Sequence, residues 1–346
     1  MNRPILSICI NTRNRAHLLV ETLESITNQI TNSVEIVVVD GASDDSTSDV
    51  MKKYVEKYYY IKYIQSDNEI GIDEGYDLSV KNASGDYCWL MPDDDIICEG
   101  ALDIVISKIK NDFELIILNL ELFTKKLNLD LNQRLFKFQE DKIYTRKQFG
   151  DFLSELGSGL SYIGCVVIRR QLWFEHNLSQ FYGSFFIHVG VICASTQINK
   201  VLFLNKPLIL YRSANSSWTP RSFEIWYFKW PNLIWSFENI TTQVKNNITS
   251  RNPWNRGLTL LKSRAMGEYS YSIFRKSLAS SGTSKHRLRN AFISLLPVTL
   301  LNLILVIFCL IFRRNNLYTL YILIMSSKRP IFLSKLSGLL GIKLHI

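Results

Sequence analysis

Asp93, Asp94 and Asp95 follow one another at the end of the mostly apolar run 86–92, and a second apolar stretch begins at once with Ile96. Adjacent carboxylates at the exit of a buried strand raise one another's pKa and resist ionising together unless positive charge joins them. Two chemistries answer that conflict. A divalent cation can bind the cluster, or one or two of the aspartates can cap the helix expected to begin near Ile96, accepting its orphan backbone N–H groups. Polar groups stand at comparable places elsewhere: Thr12, Arg13 and Asn14 follow the apolar run 5–10, and Asp40 with Gly41 follows the run 34–39. Taken singly, Thr12 or Asn14 reads as a helix cap and Asp40 with Gly41 as a turn. No GxGxxG or GxxxxGK[ST] loop is present, so backbone amides do not make a dinucleotide or P-loop cradle. Acids in that setting point to a metal ion neutralising a diphosphate.

The elements that must position these groups alternate along the first 120 residues. Strands are expected at 5–10, 34–39, 61–65, 86–91 and 114–120. Helices are expected at 15–30, from Asp44 or Asp45 to about 59, at 73–82 and from Glu99. Leu19, Leu23, Ile26 and Ile30 show the helical spacing. Strand–helix alternation with short, nearly all-apolar strands implies a parallel sheet covered by helices on both faces. Such sheets bind ligands beyond the carboxyl ends of their strands. All three polar segments then share one rim, as a pocket with a hydroxyl, an amide and up to four carboxylates.

The net charge of +9 hides an uneven distribution. Residues 241–346 hold sixteen Lys or Arg and one acid, Glu268, which leaves 24 basic and 30 acidic residues for 1–240. Within the basic tail, 291–312 contains no charge, with Arg287 and Arg289 before it and Arg313 and Arg314 after it. Length would permit a transmembrane helix, but basic flanks on both sides argue against a simple span. A second apolar stretch, 317–325, leads to Lys328 and Arg329. The expectation is a shallow hairpin or interfacial helices on an anionic leaflet. Nucleic acid is the disfavoured partner, because the charges bracket apolar runs and no nucleic-acid module is recognisable. Six cysteines without a CxxC pair suggest neither zinc nor disulfides and read as buried reduced thiols. The first residues form too short an apolar run for a signal peptide, so no export is expected. Trp226, Tyr227, Trp230 and Trp235 suit sugar stacking, a membrane interface or core packing. The expected division is a catalytic domain at 1–220, a helical, aromatic-rich connecting region at 221–290 and a membrane-associated tail at 291–346.

Three pieces resemble the family 2 glycosyltransferases, which have a single nucleotide-binding GT-A domain. These are Ser7 to Arg15 with Leu19, Thr22–Ile26 and Gln29; Glu35 to Thr47; and Ala83 to Asp95. They occur in the family's order and spacing, and the resemblance covers about residues 4–215. It implies a mostly parallel, Rossmann-like GT-A sheet and nucleotide binding by Thr12, Arg13, Asn14 and Asp40. It also implies that Asp93 faces the ribose and that Mg²⁺ or Mn²⁺ is held by Asp94 with Asp95 in support. Glu69, Glu74, Arg212 and Asn215 are further candidate substrate contacts. Where the family commonly reads Asp-x-Asp-Asp, Pro92 takes the first acidic place, so a variant geometry is expected. The family's downstream acid, which deprotonates the acceptor, is also missing from 182–191. His188 is the nearest replacement, with an ordinary pKa of about 6.5 suited to a general base; its alternative is a hydrogen-bonded core histidine. The segment 211–217, with the Trp89-to-Asp95 version of the third piece, resembles an abequosyltransferase-like branch that uses CDP-dideoxyhexose donors. Arg212 would then meet a diphosphate or simply cover a surface.

The resemblance therefore implies one-step, inverting transfer from a nucleotide-sugar to a lipid-linked saccharide in bacterial O-antigen or surface polysaccharide synthesis, with the metal offsetting charge on the leaving diphosphate. Its expected place is the cytoplasmic face of the inner membrane, peripheral or monotopic. The alternative is a membrane-tethered protein that binds nucleotide-sugar without turnover.

Overall fold

The computed structural model describes residues 3–339 and 342, apart from 217, 314 and 329. Arg314 and Arg329, two of the expected tail flanks, lie outside the described residues. The chain forms two compact units that interleave in sequence. One comprises Met1–Glu121, Arg134–Tyr211 and Leu233–Ile248; the other comprises Leu122–Gln133, Arg212–Asn232 and Thr249–Ile346. The expected consecutive division at 220 and 290 does not follow these units, because the chain crosses between them five times.

The strands of the sheet are β1 (Leu6–Thr12), β2 (Val34–Asp40), β3 (Ile61–Gln65), β4 (Tyr87–Met91), β5 (Ile96–Ile97), β6 (Leu115–Phe123), β7 (Asp130–Arg134), β8 (Lys142–Thr145), β9 (Val166–Arg169) and β10 (Lys200–Arg212). The main path runs β3-β2-β1-β4-β9-β6-β10-β5. Its first four strands are parallel, whereas β9 joins β4 and β6 in antiparallel fashion. The parallel half is joined by α1 (Ala16–Thr27), α2 (Thr47–Lys57) and α3 (Ile72–Asn82), within a few residues of the expected bounds. Strand β2 is buried along its whole length, as a central parallel strand should be. Even its acid Glu35 is enclosed, held by Lys62 at 2.9 Å and Ser7 Oγ at 2.6 Å.

Strand order reverses at β1, whose neighbours are β2 on one side and β4 on the other. The crevice beyond the carboxyl ends of such strands is where α/β sheets take ligands. Register sets Thr12 beside Asp40, and Ile10 beside Met91, so the three polar segments do emerge on one rim. Close packing there depends on Gly75 in α3, since a Cβ at that position would come within 1.8 Å of Asn11 Oδ1.

The aspartates do not cap a helix. Ile96 and Ile97 form β5, paired with β10, and the next helix, α4 (Ala101–Ile109), starts after Gly100 in the left-handed region at φ 73°. The chain thus needs a turn after β5 that glycine accommodates without strain. Beyond α4, the first unit contains α5 (Phe149–Leu156) and α6 (Ile187–Ala194).

The second unit is largely helical. Phe223 stacks on Tyr227 and Tyr269 with ring centroids 4.1 and 5.0 Å away, and Leu260, Phe274, Leu278 and Ile293 complete that cluster. Tyr227 and Trp230 are buried, which makes them core residues. No single described helix is long and apolar enough to cross a membrane, and the helices Ser284–Leu295 and Val298–Phe312 meet at 91°. Pro297 is the cause: it cannot donate a backbone hydrogen bond and drives the preceding Leu296 to an extended ψ of 143°. The six cysteines are free; five are buried and Cys98 is intermediate.

Candidate active site

Thr12 at the end of β1 donates its hydroxyl to Asp93 Oδ2 at 2.7 Å, across 81 residues of sequence. Both side chains are almost fully enclosed. Arg15 lies over the same carboxylates, with Nη1 3.2 Å from Asp93 Oδ1 and Nη2 in a short ion pair with Asp94 Oδ2. Asp95 turns away: its Oδ2 accepts the Tyr162 hydroxyl at 2.6 Å and its carbonyl accepts Thr22 Oγ1 at 2.9 Å. The three adjacent acids therefore have three different environments.

Burial pushes the Asp93 carboxyl up, Arg15 pulls it back down, and Asp94 opposes that pull. The Arg15 guanidinium is itself pushed down by burial, but the charges of Asp93, Asp94 and Asp95 outweigh this and raise it. An arginine keeps its charge under all ordinary conditions, so its guanidinium at 3.2 Å opposes the burial that holds the Asp93 carboxyl up at about 7. Burial, with the charges of Asp95 and Asp94, holds the Tyr162 phenol well above its usual range.

The positive charge required by the aspartate cluster is thus supplied by Arg15. Among the described residues, no group of three His, Cys, Asp or Glu side chains is disposed to hold a metal ion. One oxygen of Asp94 is already paired and Asp95 is directed to Tyr162. An ion joining Asp94 and Asp95, as expected from the resemblance, would share them with Arg15 and Tyr162.

On the neighbouring strand end, Asp40 is fully buried. Its Oδ1 accepts the Ser43 backbone N–H at 2.8 Å and its Oδ2 accepts the Tyr63 hydroxyl at 2.7 Å. Asn14, at φ 55°, bridges the two strand-end loops. Its backbone N–H donates to Ser43 Oγ at 2.9 Å, and its Oδ1 accepts the Asp44 N–H at 2.8 Å. Asp45 reaches back to accept the Ala16 N–H at the start of α1 at 3.0 Å. These bonds fix the two loops as one wall, with exposed backbone and side chains on its outer side. Arg13 extends from that wall in an ion pair with Glu69, and both remain exposed.

The other expected residues fall differently. Glu74 accepts the Gly71 N–H at 3.0 Å and so closes the first turn of α3. Arg212 and Asn215 belong to the second unit. Arg212 is buried and donates Nη1 to the Lys125 carbonyl at 3.0 Å, so it does not cover a surface.

His188 does not have the surroundings of a general base. It is 1% exposed on α6. Its Nε2 donates to the Leu160 carbonyl at 2.9 Å, and Nδ1 is enclosed with no partner. Burial pushes its pKa down to about 4. A neutral ring sealed from solvent has no route to an acceptor hydroxyl, so the catalytic expectation is corrected in favour of a core histidine that secures the turn at Leu160.

Four residues of the site were not assigned by sequence reasoning: Arg15, Tyr63, Asp73 and Tyr162. Asp73 accepts the Phe185 N–H at 2.8 Å and the Ile187 N–H at 3.0 Å, anchoring the segment where the family's acid was sought. Phe185 there adopts φ 73°. For Arg15 a signal existed, since a carboxylate cluster demands a cation and the first motif carries two arginines. Tyr63, Asp73 and Tyr162 carried none, because each acts through contacts far away in sequence.

Residues 7–177 match the family described as glycosyl transferase family 2. An abequosyltransferase of Salmonella typhimurium is 26% identical over 276 residues, spanning 72% of this chain and 81% of that protein. A GalNAc(5)-diNAcBac-PP-undecaprenol beta-1,3-glucosyltransferase of Campylobacter jejuni is 29% identical over 211 residues, 60% of this chain and 65% of that one. The crystal structures of S. aureus TarS 1-349 with UDP and with UDP-GlcNAc superpose with TM-scores of 0.56 and 0.54 at 15% and 16% identity, each covering 93% of this chain and 90% of theirs. At such identity the structural likeness concerns the fold.

Proposed function

Because this chain is a glycosyltransferase with a family 2 domain over residues 7–177, we propose that it moves a sugar from a nucleoside-diphosphate sugar to a lipid-linked saccharide in bacterial O-antigen or surface polysaccharide synthesis. The observation that carries the reading is the convergence of Thr12, Arg15 and Asp93 at the sheet's switch point, with Asp40 on the adjacent strand end. A relative named for transfer to an undecaprenyl-diphosphate acceptor supports the lipid-linked acceptor. The likeness to an abequosyltransferase supports a CDP-dideoxyhexose donor.

In this reading the wall made by Asn14, Ser43 and Asp40 receives the nucleoside, and Asp93 faces its ribose. Arg13 and Arg15 are the cations at the rim. As the bond from the anomeric carbon to the diphosphate breaks, its electron pair leaves with phosphate, and preorganised guanidinium charge stabilises that product. The acceptor oxygen forms the new bond to the anomeric carbon, and its proton passes to solvent. GT-A glycosyltransferases are generally dependent on a divalent metal; in this chain Mg²⁺ or Mn²⁺ competes with Arg15 for Asp94, and no step is assigned to it.

The test is transfer by the full chain from a panel of CDP-, UDP- and GDP-sugars to lipid-linked saccharide, with calorimetric nucleotide binding beside it. Asp93→Asn and Asp40→Ala are expected to weaken nucleotide binding at least about tenfold, the scale of one lost charge-assisted hydrogen bond. Preference for a CDP-sugar supports the narrower donor. Absence of transfer from every donor overturns the proposal.

A further inference from the structure

The helix Val298–Phe312 is held in one rotational setting. Asn302 is 2% exposed, and its Nδ2 donates to the Ala265 carbonyl at 3.2 Å and the Leu323 carbonyl at 2.9 Å. A buried amide that binds the ends of two neighbouring helices cannot rotate outward without losing both bonds. Val306, Cys309 and Leu310 are buried on the same side.

The opposite side is uncovered. Leu300, Leu303, Ile304, Ile307, Phe308 and Ile311 are 36–57% exposed, and Phe312 is 70% exposed. Their spacing of three and four residues makes one stripe along the helix. The preceding helix, Ser284–Leu295, repeats the arrangement with Leu288, Phe292 and Leu295 exposed by 64% or more. Single apolar residues on a surface are ordinary, but a continuous stripe of this kind marks an interaction site.

Charge identifies the occupant. The tail from 241 onward holds sixteen basic residues and one acid, and Lys285 and Arg313, which bracket the helix pair, are exposed. An apolar stripe in a strongly basic unit complements an anionic lipid leaflet, which buries apolar side chains at the headgroup boundary and attracts nearby lysine and arginine. A second copy of this chain would instead bring two strongly basic units together. The 91° bend excludes a straight span by these two helices in this form and leaves them as surface elements.

The geometry points to the exposed faces of Ser284–Leu295 and Val298–Phe312 as a monotopic docking surface for an anionic bilayer, seated through Ile304, Phe308 and Ile311. This rests on the membrane-bound acceptor of the proposed function and names the part of the chain that meets the lipid; it does not depend on which sugar is transferred.

The experiment is co-sedimentation of the full chain with vesicles of phosphatidylcholine alone and of phosphatidylcholine with one third phosphatidylglycerol. Wild type is expected to bind the anionic vesicles preferentially. The triple variant Ile304→Gln, Phe308→Gln, Ile311→Gln is expected to lose partitioning at least about tenfold while melting at the same temperature. Lys285→Gln with Arg313→Gln is expected to reduce only the preference for phosphatidylglycerol. Val55→Gln, an exposed apolar residue of α2, should change nothing. Light scattering distinguishes the rival occupant: a dimer broken by the triple variant, without vesicle binding, overturns the proposal. Equal binding by wild type and triple variant, or no binding by wild type, does so as well. Nucleotide binding measured without vesicles reports on the catalytic reading separately.

Discussion

Arg15 and Asp93, 78 positions apart, lie with Nη1 3.2 Å from Oδ1, and this pair resolves the charge conflict that three consecutive aspartates create. Arg15 also holds Asp94, and the side chains concerned are only 16, 7 and 13% exposed. An ion pair so enclosed contributes little compared with an apolar replacement of the whole pair, but breaking it from one side leaves a buried charge without compensation.

Arg15→Met is therefore expected to cost about 3–5 kcal/mol of stability. Asp93→Asn in the Arg15→Met background should recover part of that loss, because it removes a stranded carboxylate. Urea unfolding of the single and double variants measures both. A loss under about 1 kcal/mol for Arg15→Met would show that the pair is solvated and that the cluster has another counter-ion.

The same arrangement predicts how the free protein responds to cations. With Arg15 in place, millimolar Mn²⁺ without nucleotide is expected to leave the melting temperature unchanged. Arg15→Met exposes Asp93 and Asp94 to the ion and should gain a saturable upward shift, since a ligand that binds only the native state stabilises it by mass action. A saturable shift in the wild type of the same size as in the variant would mean that Mn²⁺ and Arg15 do not compete.

His188 gives a pH signature. Its folded pKa of about 4 lies below the ordinary value of 6.5, so neither state is protonated above pH 6.5 and nothing is lost there. As pH falls through 6.5 the unfolded chain takes up the proton first, and stability drops until about pH 4, by roughly 3 kcal/mol in total. His188→Gln removes this dependence while keeping an amide to donate to the Leu160 carbonyl. The stability difference between wild type and His188→Gln, measured from pH 7 to pH 4, should shrink or reverse by that amount. The variant should also retain the acid limb of the wild-type pH–rate profile, whereas loss of that limb would restore the histidine as a base.

The alternation of apolar strands with helices was legible because β1, β2 and β4 are buried on both faces, so their residues are mostly apolar whatever surrounds them. That alone placed the ends of β1, β2 and β4 on one rim, and Thr12, Asp40 and Asp93 were readable there. The segment after Asp95 was not. Ile96 and Ile97 are apolar in either a strand or a helix, and only their pairing with Ile209 and Leu210 decides between them. The apolar run 291–312 read as continuous by composition, yet Pro297 turns it through a right angle.

By itself, then, the sequence determined the order of elements in the parallel half, the sheet's ligand-binding rim and the presence of an acidic cluster needing a cation, because these depend on local pattern and on like-charge repulsion. Tertiary structure alone decided that Arg15 reaches the cluster, which aspartate faces which partner, and that His188 is sealed. Those outcomes depend on distances between residues tens of positions apart, and on desolvation, which no spacing along the chain records.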